Sequence, residues 1–87
     1  MIPAIRTEFY PNPFSGSVTI SVEARRTEKI TMKIFDHTGR LTDVLYDDVA
    51  NGPLRFVWTP SDDGGGIYFL KIEGDGFSET RKMVMLD

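Results

Sequence analysis

The residues that could support catalysis are few in this sequence and stand far apart. His37 is the only histidine and there is no cysteine, whereas a nucleophilic serine or threonine needs a base within hydrogen-bond reach. Asp62 and Asp63 are adjacent carboxylates, but neighbouring side chains of an extended chain point in opposite directions and do not share a proton. We therefore predict no catalytic residue and a protein that is not an enzyme.

Two other groups of residues could bind ions. Gly64, Gly65 and Gly66 precede a predicted strand, whereas a phosphate-binding loop follows a strand and opens a helix. The aspartates in predicted loops have no fixed ligand spacing; they are Asp36, Asp47, Asp48, Asp62, Asp63 and Asp75. We predict no metal site and no cofactor, and calcium binding by two acidic loops that meet at one end of the fold stays an open alternative.

Length and composition predict one ordered domain. A chain of 87 residues with 40% hydrophobic residues is sufficient for one core, so residues 1–87 are expected to form a single domain. The net charge of −3 and the scattered basic residues argue against a nucleic-acid partner. The apolar runs are far shorter than the roughly 18 residues that a membrane span needs.

Alternation of apolar and polar residues predicts strands along the whole chain. They lie at residues 5–9, 17–23, 29–35, 40–46 and 54–59 and in a hairpin at residues 64–86 with its turn at Gly74-Asp75-Gly76. A loop is expected at residues 24–28, with turns at Asp36-His37-Thr38-Gly39 and Asn51-Gly52. The pattern indicates an all-β sandwich with antiparallel strands and Trp58 in its core.

Four aromatic residues leave two interpretations open. Tyr10, Phe14, Phe35 and Phe69 could form an exposed strip for a sugar or a protein partner, or they could cap the open ends of the core. The first interpretation would make the chain a carbohydrate-binding module.

Several motifs follow one another in order from Tyr10 to Leu86. They are Tyr10-Pro11-Asn12-Pro13-Phe14, Val18-Thr19-Ile20, Lys33-Ile34-Phe35-Asp36 with Gly39-Arg40, Trp58, Gly66-Ile67-Tyr68-Phe69 and Thr80-Arg81-Lys82-Met83-Val84. Together they resemble the type A C-terminal sorting domain of type IX secretion cargo. The same pattern is similar to the immunoglobulin-like domain of flagellar hook-capping proteins.

The resemblance implies a seven-stranded antiparallel immunoglobulin-like β-sandwich at the end of a longer protein that is secreted or displayed on the cell surface. It also implies that an outer-membrane translocon recognises the domain, so the partners would be translocon proteins and a covalently linked upstream cargo domain. The implied recognition residues are Lys82, Met83 and Val84, and the motif that marks the start of the domain is Tyr10, Pro11, Asn12, Pro13 and Phe14. The resemblance to hook-capping domains leaves a structural spacer or assembly domain as the alternative.

Overall fold

Alternating burial along the chain produces a fold made of strands. The computed structural model describes residues 5–61 and 66–86, and these ranges contain no helix, so none that could cross a membrane. The strands are β1 (Ile5–Tyr10), β2 (Phe14–Ser15), β3 (Val18–Asp36), β4 (Leu41–Trp58), β5 (Gly66–Gly74) and β6 (Phe77–Leu86). The prediction of an all-β fold is confirmed. Asp62, Asp63, Gly64 and Gly65, which were considered above as candidate catalytic or ion-binding residues, lie outside the described residues.

β3 is the strand with which most of the others pair. β1, β4 and β5 all lie antiparallel to it, and β6 pairs with β5. The register with β4 shifts between Ala24 and Glu28. Before this shift β3 lies between β1 and the second half of β4, and after it β3 lies between β5 and the first half of β4. One strand therefore joins both parts of the sheet.

A single core lies on the inner side of this sheet. Both halves of β3 contribute to it, because every second residue from Val18 to Ile34 is buried apart from the interruption at the register shift. Trp58 is 4% exposed, which confirms its predicted place in the core. Its ring makes edge contacts with Phe14 and Tyr68 at centroid distances of 6.2 and 5.0 Å, and its Nε1–H donates to Asp43 Oδ2 at 2.7 Å. The buried indole is thus both packed and hydrogen-bonded.

The described residues form six strands rather than the seven expected. Two predicted connections lie inside strands, which merges four predicted strands into β3 and β4, and the short β2 is an additional strand that the sequence pattern did not predict. Residues 24–28, expected as a loop, belong to β3, where Ala24 and Glu28 are both buried. Asn51-Gly52, expected to reverse the chain, belongs to β4, where Gly52 takes a φ of +90° and pairs with Ala24. At the register shift, residues 25–27 of β3 lie opposite the single residue Asn51 of β4, so the extra residues of this bulge belong to β3 and the Asn51-Gly52 sequence lies opposite them.

The expectation of a wholly antiparallel sheet is wrong at one pair. β2 lies parallel to the end of β6, with Phe14 opposite Met85 and Ser15 opposite Leu86. Short loops force antiparallel order only between strands that they connect directly. β2 instead meets a strand from the opposite end of the sequence, and no short loop constrains that direction.

A buried carboxylate joins β3 to the turn between β5 and β6. Glu28 is 8% exposed; its Oε1 accepts a hydrogen bond from the Asp75 N–H at 3.0 Å and its Oε2 accepts one from Arg26 Nε at 3.2 Å. Gly74 leaves room for this carboxylate, because a Cβ at that position would lie 2.6 Å from Oε1. The register shift of β3 and the β5–β6 turn are therefore held together by one side chain.

The turn between β3 and β4 has the predicted chemistry. Asp36 Oδ1 accepts hydrogen bonds from the Thr38 hydroxyl at 2.6 Å and from the backbone N–H groups of Thr38 and Arg40 at 2.9 and 3.0 Å. Gly39 takes the left-handed conformation at a φ of +89°. The Thr38 hydroxyl and, after it, the two N–H groups lower the pKa of Asp36 from 3.8 to about 2.

Two substitutions of Glu28 distinguish its hydrogen bond with the Asp75 N–H from its contact with Arg26. Glu28→Ala should lower the free energy of unfolding by about 1–3 kcal/mol, because it leaves the Asp75 N–H without its acceptor. Glu28→Gln is the matched control, since its amide oxygen can still accept that bond and only the contact with the exposed Arg26 is weakened. Urea unfolding measures both, and equal losses for the two variants would contradict this assignment.

The stabilisation that the Asp36 carboxylate gives to the folded state should decrease as the pH falls. Its pKa falls from 3.8 in the unfolded chain to about 2 on folding, so the folded state binds fewer protons between these values. The stabilisation is complete above about pH 4 and is lost as the pH falls through about 2. The difference in unfolding free energy between the native chain and Asp36→Ala should therefore shrink from about pH 5 to about pH 2, and a difference independent of pH would be inconsistent with this account.

Candidate recognition site

The candidate recognition residues of β6 point to opposite sides of the sheet. Lys82 is exposed and Val84 is half-buried on the outer face, whereas Met83 is 0% exposed and belongs to the core. This is the alternation of a strand with one buried face. Lys82 and Val84 are accessible to a partner, and Met83 positions them through its packing.

The proline segment, residues 10–14, runs from the end of β1 to β2. Tyr10 is 45% exposed, whereas Phe14 is 1% exposed and packs against Trp58. Both X-Pro bonds of the segment are cis. Neither proline has an N–H to donate to a sheet, so the segment is anchored by Phe14 and by its asparagine.

The proline segment and the end of β6 contact each other. Asn12 Oδ1 accepts a hydrogen bond from the Val84 N–H at 3.1 Å, across 72 positions in sequence. Two residues further on, Phe14 pairs with Met85. The two sets of candidate residues predicted separately from the sequence are therefore in direct contact.

This contact also occupies part of the outer edge of β6. In an antiparallel pair, alternate residues direct their backbone groups toward and away from the neighbouring strand. The Val84 N–H points away from β5 and is taken by Asn12, and β2 pairs with the next two residues. A partner that reaches this end of β6 therefore meets side chains of the outer face rather than a free strand edge.

Arg81 is a residue that the sequence motif contained but to which we assigned no role. Its Nη1 donates to the Thr7 carbonyl oxygen at 3.4 Å, and its guanidinium lies 5.0 Å from the centroid of the Phe9 ring. Thr7 and Phe9 belong to β1, the strand at the other end of the sheet order. Arg81 thus links β6 to β1, with which it does not pair, and no pattern in β6 alone could have indicated this contact.

The aromatic residues do not form the strip considered from the sequence. Phe14 is buried and fits the core-capping interpretation. Phe35 and Phe69 lie directly opposite each other on β3 and β5 and are half-buried, whereas Tyr10 lies on β1. The four rings therefore share no common surface.

The other candidate groups that lie among the described residues are not assembled into a reactive site. His37 is exposed in the β3–β4 turn. A cavity of about 290 Å³ lies beside this turn, but the carboxylates of Asp36 and Asp43 that line it accept hydrogen bonds from neighbouring residues. Within residues 5–61 and 66–86, no group of three or more histidine and acidic side chains is placed to hold a metal ion.

Removing the amide of Asn12 should loosen the end of β6. Asn12→Ala leaves the Val84 N–H without its acceptor, at a cost of about 1 kcal/mol, and should increase the hydrogen-exchange rate of that amide. Asn12→Asp retains an acceptor oxygen and should preserve the protection. Amide exchange followed by NMR measures this directly, and unchanged protection in Asn12→Ala would show that the hydrogen bond is unimportant.

Comparisons with solved structures find a protein of similar fold. The crystal structure of dimeric latent PorU from Porphyromonas gingivalis is similar over 99% of this chain, with a TM-score of 0.71 and 21% sequence identity, and this chain spans 10% of that protein. That likeness shows the fold alone. No curated protein matches the sequence.

The sequence itself identifies the family. Residues 8–86 match the family described as the secretion system C-terminal sorting domain, which confirms the resemblance inferred from the motifs. Such a domain marks proteins that are secreted or carried to the cell surface. The chain belongs to the family of secretion system C-terminal sorting domains.

Proposed function

We propose that this domain is a non-catalytic sorting and anchoring module that directs an upstream carrier protein through the outer-membrane type IX secretion translocon. Family membership supports the sorting role. The observation that carries the proposal is the hydrogen bond from the Val84 N–H to Asn12, because it joins the start motif directly to the terminal strand. The partners are translocon proteins and the covalently linked cargo.

Recognition in this proposal depends on side chains of the outer face. Strand addition at an exposed edge is a common way to bind a sheet protein, but the end of β6 is already paired with β2 and Asn12. Lys82 and Val84 remain accessible there, one charged and one apolar. They supply the specific contacts, and Met83 keeps the strand in its register.

The architecture is consistent with an immunoglobulin-like arrangement. The pairing of β3 with β4 is interrupted at the register shift between Ala24 and Glu28, which divides each of the two strands into two halves. If the two halves of each strand are counted separately, the long strands recover the segments expected from the sequence. The division of β3 and β4 supports two facing layers, with the core between them.

A reporter fusion tests the sorting role. Residues 1–87, joined to the C-terminus of a periplasmic reporter in a host with a type IX secretion system, should carry the reporter to the surface or medium. Lys82→Glu combined with Val84→Ser should reduce that export at least about tenfold, since loss of a central contact costs more than about 1 kcal/mol. Truncation of β6 is unsuitable, because it would remove the buried Met83 and Met85.

Arg25→Glu combined with Val57→Ser is the matched control, because it makes the same changes of charge and polarity at exposed residues outside β6. It should leave export unchanged, and thermal unfolding should show that all variants remain folded. Failure of the unaltered fusion to leave the periplasm would refute the sorting function and favour the structural spacer. Normal export of the Lys82/Val84 variant would refute the assigned recognition residues.

A further inference from the structure

The outer face of β3, β5 and β6 combines an apolar area with lysines. The register places Phe35 opposite Phe69, and Phe69 opposite Lys82. In the next row of side chains, Lys33 lies opposite Lys71. We call this surface the lysine face; it comprises Lys33, Lys71 and Lys82 with Phe35, Ile67, Phe69 and Val84.

The arrangement of the lysines is unfavourable for the isolated fold. Like charges directly opposite each other on neighbouring strands are destabilising, and Lys33 and Lys71 occupy such a pair. Among the described residues, Lys33, Lys71 and Lys82 make no ion pair, whereas Lys29 lies 3.8 Å from Asp47. The cluster is also local, because the chain as a whole has a net charge of −3. These three charges are therefore available to an external anion.

We propose that the lysine face docks a partner protein whose contact surface is apolar at its centre and carries carboxylates at its rim. Apolar centres with polar rims are typical of protein interfaces. Here the phenylalanine pair and the neighbouring Ile67 and Val84 form the centre. The three lysines border this apolar centre, Lys82 in the row of the phenylalanines and the other two in the next row. Complementary carboxylates on the partner would therefore fix its orientation.

A protein fits this surface better than a membrane does. Insertion into a bilayer requires large apolar side chains that project from the surface, whereas Phe35 and Phe69 are half-buried within the sheet face. Lys82 and Val84 are also the proposed recognition residues, so this inference rests on the sorting function and extends it to Lys33 and Lys71. Carboxylates at the rim of its contact surface are thus the feature by which the partner can be recognised.

Charge reversal in the export assay tests the proposal. Lys33→Glu combined with Lys71→Glu should reduce export of the fused reporter at least about tenfold while preserving the fold, because one like-charged pair replaces another. Arg25→Glu combined with Arg55→Glu is the matched control: it changes the net charge equally at exposed residues outside the lysine face. This control should be exported normally. If the unaltered fusion is exported and the lysine variant equally so, the lysine face is refuted while the sorting function stands.

Direct binding tests the chemistry of the partner. A synthetic peptide of alternating glutamate and leucine should shift the amide signals of Phe35, Phe69, Lys71 and Lys82 in the isotope-labelled domain. The binding should weaken as NaCl rises from about 0.05 to about 0.5 M. A matched peptide of lysine and leucine should have no effect. Equal responses to both peptides, shifts elsewhere, no shifts, or binding only to phosphatidylglycerol vesicles would each overturn the proposal.

Discussion

The burial of the inner face of β3, before and after its register shift, is the constraint on which the rest of the structure depends. Its inner residues from Val18 to Ile34 belong to a single core, and three other strands take their positions from its backbone. Apolar burial is the main favourable term in folding. A strand that supplies both pairing and core on either side of its register shift therefore organises residues 5–61 and 66–86, which contain no helix.

The register of β3 also determines what the surface presents. Side chains that alternate with the core residues must point outward, and pairing with β5 and then β6 aligns them in rows. The position of Lys33 beside Lys71 thus follows from the same alternation that buries Ile34 and Leu70. Lys82 and Val84, which we propose for recognition, and the buried core residues lie on opposite faces of the same strands, so a substitution on the outer face can alter the surface while the core remains intact.

Much of this structure is predictable from local patterns, and the rest depends on distant contacts. Period-two alternation indicates the strands, and the lone tryptophan indicates the core. The sequence Asn51-Gly52 is misleading, because the positive φ of Gly52 is accommodated within β4, opposite the bulged residues of β3, and does not reverse the chain. The contact of Asn12 with Val84 spans 72 positions, and no local signal specifies it. The candidate residues could be named from their motifs, but the contact between the two sets could not.

Arg81 has a consequence for the behaviour of the domain at high concentration. Unpaired sheet edges are templates for association between copies, and natural proteins protect them with charge or by covering them. The guanidinium of Arg81 bridges β6 to the Thr7 carbonyl and the Phe9 ring of β1. Arg81 therefore covers part of the β1 edge with a charged side chain of β6, which disfavours association of that edge with another copy of the domain.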